Sequence, residues 1–208
     1  LDNGEVEAFD LNPGDYTLAA CRPAVTVQSD LGTTQAQITL FDRLIVNDGV
    51  AKVVDVGYAS FDRFFTLCEE IGFISEARKR AFDVVILFPA EAHPAAARTY
   101  EQLRLRFPRT FVVAVLNEAI LKGRKVRENF PFARASALPL QIPLLPPALK
   151  AYAERSDCTF TEFHAQLPMT VPMGHAFELR SWTKRAFLEF RELELRLLME
   201  KLRASLEG

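Results

Sequence analysis

Glycine is scarce and scattered in this chain, with nine residues in 208 and none clustered. The pattern G-x-x-x-x-G-K-[ST] occurs nowhere. These residues therefore carry no loop of backbone N–H groups and lysine that grips a triphosphate. Cysteine is also rare: Cys21, Cys68 and Cys158 are odd in number, far apart and form no C-x-x-C. That spacing argues against a disulfide framework or a zinc site and for reduced, buried thiols in a cytoplasmic protein. His93, His164 and His175 show neither HExxH nor paired spacing, which speaks against zinc. No G-x-S-x-G elbow is present, and no cysteine has an evident histidine partner in sequence. No apolar run approaches the roughly 18 residues that span a bilayer, and no signal-peptide pattern is visible. Neither charge sign dominates, with 25 Lys and Arg against 27 Asp and Glu, so any nucleic-acid surface must be local.

What is present is alternation. Apolar, β-rich segments at 6–11, 24–28, 51–56, 82–88, 111–116 and 138–142 predict strands. Between them, 33–46, 60–71, 94–107 and 148–155 have helical spacing. In 33–46 the residues Ile38, Phe41, Leu44 and Ile45 share one stripe. Asn47-Asp48-Gly49 is a stop and turn signal, and Pro94 and Pro146-Pro147 mark helix starts. Residues 51–56, 82–88 and 111–116 read as buried strands, 82–88 as one covered on both faces.

This order predicts an α/β fold with a doubly wound, mostly parallel sheet flanked by helices. Ligands in such sheets bind beyond the C-terminal strand ends. Those ends carry Asp10 and Asn12, Asp55 and Gly57, Pro89 and Glu91, and Asn117 and Glu118. Two carboxylates on neighbouring strand ends suit magnesium, a hard cation that takes oxygen ligands and keeps several waters. An Asp at a strand end also serves as a helix or turn cap, and Asn117 suits either an adenine edge or a turn. Asp15, in Asn-Pro-Gly-Asp, suits turn chemistry.

Over about residues 5–155 the chain resembles the ParA/MinD family of deviant-Walker P-loop ATPases, especially its plasmid-stability and conjugal-transfer members. Ala8-Phe9-Asp10-Leu11-Asn12-Pro13 matches the layout of that family's acidic second strand end. VVDVGYASFD (53–62) looks like its Walker B strand, VAVLNEA (113–119) like its adenine-contacting strand end, and LPLQIPLLPPALKAYAE (138–154) like its late Ile-Pro turn. The resemblance implies a P-loop NTPase-like fold, ATP and Mg2+ as ligands, and catalytic roles at Asp10 and Asn12. It places magnesium on Asp10 and Asp55, partly through water, and the base beside Asn117, Ile142 and Pro143. Asn12 departs from the family, which has a second acidic residue there. The family's first strand and phosphate loop are expected before Leu1; the rival is a degenerate scaffold of the same fold.

The implied activity is an ATP-dependent dimerisation switch in DNA or plasmid partition, transfer or cargo positioning, with a homodimer as the working form. Lys122, Arg124, Lys125 and Arg127 form a short basic cluster that suits either a solvated face or non-specific DNA contact. The domain reading is a nucleotide-binding-type unit over 1–158, a loop over 159–175 and a C-terminal helix over 176–208. On that helix Leu179, Ala186, Phe190, Leu193, Leu197 and Leu198 recur at helical or heptad spacing, for packing on the sheet or for a coiled-coil, dimer or partner contact. Trp182 and Phe187 suit core anchors better than ligand platforms.

Overall fold

A computed structural model describes residues 5–91, 93–122, 139–153 and 172–206. They fall into two compact units, Leu1–Val84 and Val85–Gly208, each built on a three-stranded parallel sheet. The α/β class expected from the alternation is present.

The first unit runs β1 (Val6–Asp10), α1 (Thr17–Cys21), β2 (Thr26–Gln28), α2 (Thr34–Leu44), β3 (Ala51–Asp55), α3 (Tyr58–Glu70) and α4 (Phe73–Lys79). Its strands lie in the order β2-β1-β3, and Asp10 is in register with both Gln28 and Asp55. Winding thus leaves β1 toward one edge and returns on its other side. That makes the C-terminal ends of β1 and β3 a topological switch point.

Local chemistry sets these boundaries. Thr33 caps α2, its Oγ1 accepting from Ala36 N at 3.1 Å. Asp48 Oδ1 accepts from Val50 N, and Gly49 takes φ +78°, closing the turn into β3. The core is phenylalanine-rich: Phe41 stacks on Phe64 at 5.8 Å and tilts against Phe73 at 5.3 Å. Phe9 is fully buried with the Arg43 guanidinium over its ring. Each such ring contributes about 1.5–3 kcal/mol by leaving water.

Two expectations fail here. Ile38 is exposed, because the buried arc of α2 is Leu40, Phe41 and Leu44. β3 is not a buried strand; as a sheet edge it alternates, with Val53 48% exposed. Helix α4 lies in a stretch with no predicted element.

The second unit runs β4 (Val85–Pro89), α5 (Pro94–Arg106), β5 (Phe111–Asn117), α6 (Glu118–Leu121), β6 (Leu140–Ile142), α7 (Pro147–Ala153) and α8 (Met173–Leu206). Its strand order is β4-β5-β6. β5 is central and buries Val113, Ala114 and Leu116, as predicted. β4 begins three residues later than predicted and is an edge, so Leu87 is exposed rather than covered on both faces. His93 Nδ1 accepts from Ala95 N and caps α5, with Pro94 in the first turn. Tyr100, buried to 1%, donates its hydroxyl to Val112 O.

Helix α8 starts at Met173, inside the segment predicted as loop; residues 159–171 lie outside the described residues. Its inner face packs Ala176 and Leu179 on Leu149 and Ala153, and Leu193 and Leu197 on Val113 and Leu140. Leu198 and Phe187 do not join that face and are exposed. No helix among the described residues is long and apolar enough to cross a membrane.

Candidate functional site

The ends of β1 and β3 are built around one buried acid. The buried polar residues of the described chain are Asp10, Ser60 and Thr183, and Asp10 is the only carboxylate among them. Parallel register sets it beside Asp55 on the adjacent strand, so both side chains leave the same face of the sheet. The chain then turns through Asn12-Pro13-Gly14-Asp15. Asp15 N donates to Asn12 O, and Gly14 takes φ +89°, following the Pro–Gly order of a type II turn. Asp15 serves that turn, accepting from the Thr17 hydroxyl at 2.8 Å.

Asp10 spends its oxygens on this loop. Oδ1 accepts from Asn12 N at 3.1 Å and from Asn12 Nδ2 at 3.0 Å, while Oδ2 accepts from Ala19 N at 3.0 Å in the first turn of α1. Asp10 is therefore a clamp that joins strand, turn and helix. Asn12 Nδ2 has a second bond, donating to Asp55 Oδ2 at 3.1 Å. One amide group thus bridges two carboxylates on neighbouring strands. It supplies N–H donors where like charges would otherwise face each other, as a cation would.

Asp55 reaches solvent, and its Oδ1 carries no hydrogen bond among the described residues. Partial burial, then the neighbouring Asp10 carboxylate, push its pKa above the ordinary value, against the lowering effect of the Asn12 bond. Gly57 makes room for the bridge by its lack of a side chain. A Cβ there would lie 1.7 Å from Asn12 Oδ1 and 2.6 Å from its Cγ. Only glycine lets Asn12 sit where it does.

The donor set decides what could be held. Asp55 offers an outward oxygen to a water-bound magnesium, whereas Asp10 is fully buried and already accepts three bonds. No group of three or more His, Cys, Asp or Glu among the described residues is placed to hold a metal ion. Of the two acids, only Asp55 is therefore placed to meet a cation, while the bonds of Asp10 and Asn12 fix where Asp55 stands.

The other predicted residues meet at the ends of β5 and β6, where Asn117 is in register with Ile142. Asn117 Oδ1 accepts from Ala119 N at 2.9 Å and caps α6, leaving its Nδ2 uncommitted to that cap. Glu118 Oε2 accepts from Leu144 N at 2.8 Å, which ties the two strand ends together. Ile142 packs against the cluster of Val113, Leu140, Leu193 and Leu197, and Pro143 O accepts from Trp182 Nε1 at 2.8 Å. Trp182 is thus an anchor, as predicted. Of the basic cluster, Lys122 is an exposed αL residue ending α6, while Arg124, Lys125 and Arg127 lie outside the described residues.

The sequence pattern found Asp10, Asn12 and Asp55 together but did not assign a role to Gly57 or to the Ala19 amide. The glycine two residues past Asp55 was the available signal for the first; nothing in sequence marks the second. Compared with known proteins, the chain matches no protein-family model, no curated protein and no solved structure.

Proposed function

We propose that the first unit carries the magnesium-and-water end of a nucleotide site in a ParA/MinD-like ATPase. In that role the protein acts as an ATP-dependent dimerisation switch in DNA partition, transfer or cargo positioning. The observation that supports it is the Asp10–Asn12–Asp55 bridge at the switch point of a parallel sheet. Bound magnesium would neutralise charge on the nucleotide phosphates. Asp55 would hold it through water, Asp10 would fix the loop, and Asn12 would keep the two carboxylates apart. Asn117 would turn its free amide donors to the base. These 208 residues hold no phosphate loop, so nucleotide affinity of the chain alone is expected to be weak.

Two tests bear on this. A GKGGxGK[ST] motif encoded upstream of Leu1 would support the ATPase; its absence would sink it. Calorimetric titration with Mg2+–ATP should then show binding by the protein carrying that loop and a loss of about tenfold or more in Asp55→Ala. Equal affinity of the two proteins would remove Asp55 from the site.

A second reading, a scaffold of the same fold that binds a partner through α8, is favoured by the three bonds that commit Asp10 to its own loop. Asn12→Asp separates the two. It should lower the melting temperature in chelator, and Mg2+ should restore it if the site faces a cation. A loss that Mg2+ leaves untouched would favour the scaffold.

A further inference from the structure

Helix α8 is apolar on two sides. Its inner side packs on the second unit through Leu193 and Leu197. On its outer side Leu188, Leu195, Met199, Leu202 and Leu206 are 54, 60, 54, 56 and 86% exposed. Their spacing of seven, four, three and four residues places them within an arc of about 60°. A stripe of that kind is the seam of a helix pair rather than a solvated face. Charged residues border it, held at present in exposed intrahelical pairs such as Arg196–Glu192 at 3.3 Å and Arg191–Glu194 at 2.9 Å.

We propose that this stripe is the contact by which two copies of the chain pair through antiparallel α8 helices, without nucleotide. The charge pattern selects the occupant. A two-fold axis at the level of residue 197 sets Leu188 against Leu206 and Leu195 against Met199. Glu192 and Arg203 lie on one flank of the stripe. The same axis brings the Glu192 of each copy against the Arg203 of the other, so the contact complements itself. A parallel pair sets Phe187 against Glu192 and Glu194 against Met199, leaving those charges unmatched. The existing Arg196–Glu192 bridge is solvent-exposed and contributes little, so Glu192 exchanges partners at small cost. The seam runs roughly 27 Å along the helix, at the small end of specific interfaces, and the dimer is expected to be micromolar.

The experiment is sedimentation velocity on the 208-residue chain over a concentration series without nucleotide. A monomer–dimer equilibrium is expected, weakened about tenfold or more by Leu202→Glu while the far-UV spectrum stays unchanged. Glu192→Arg and Arg203→Glu should each weaken it, and the two combined should restore it; this pair stands as the test if Leu202→Glu disturbs folding. A chain that is monomeric throughout overturns the proposal, the result expected if the stripe serves another protein's helix. So does a dimer insensitive to Leu202→Glu, or charge variants that fail to rescue one another. Asp55→Asn should leave this dimer intact, so it stands or falls apart from the nucleotide reading.

Discussion

The two sets of strand ends use similar residues for different ends. At β1 and β3, polar side chains bond to one another as well as to backbone: the Asn12 amide joins Asp10 to Asp55. At β5 and β6 they bond to backbone: Asn117 caps a helix, Glu118 holds Leu144 N, and Pro143 O receives Trp182. The first arrangement leaves a carboxylate oxygen facing water with a raised pKa. The second consumes its acceptors in holding α6, the loop after β6 and α8 in place. The first keeps an acceptor open to solvent, and the second spends its acceptors on scaffolding.

Asp10→Ala should break that contrast most severely. It leaves the amides of Asn12 and Ala19 without their buried acceptor, at about 3–5 kcal/mol, measurable by urea unfolding. A loss below about 1 kcal/mol would show that the clamp is not structural. Gly57→Ala comes next, at about 1–3 kcal/mol, because Asn12 must leave its bridge to make room. Combining it with Asn12→Ser should recover part of that loss.

At the other strand ends, Trp182→Phe keeps an aromatic ring in the core but deletes the bond to Pro143 O and trims the indole's packing. A loss of about 1–3 kcal/mol is expected, and Mg2+ should not alter it. The smallest effect is at Asp55. Its folded pKa lies above its unfolded one, so the folded state binds the proton more tightly. Its ionisation therefore costs stability as pH rises through the window between those values, and that cost persists above it. Asp55→Asn should flatten this slope and leave the protein no less stable at pH 7. A steeper slope in the variant would reverse the sign assigned to Asp55.

Much of this contrast was legible in the sequence. Strand-to-loop transitions are local signals, so Asp10, Asn12, Asp55 and Asn117 could be set at strand ends from pattern alone. Sheet membership was not. Residues 51–56 and 82–88 have the composition of buried strands, but edge or centre is decided by partners distant in sequence. Ile38 and Leu198 failed for a related reason. Helical spacing identifies an apolar arc but not where its centre falls, and α8 carries two such arcs. Asn12 taught the most. Read alone, it was a missing carboxylate; beside Asp55 it is a bridge.

The absence of a side chain at Gly57 carries a consequence for variation. Positions 12 and 57 share one volume, so they cannot change independently: a larger residue at 57 requires a shorter one at 12. Among natural variants of this chain, alanine or serine at 57 should appear only where asparagine at 12 has given way. Such paired replacement would also mark which lineages had abandoned the bridge between the two acids.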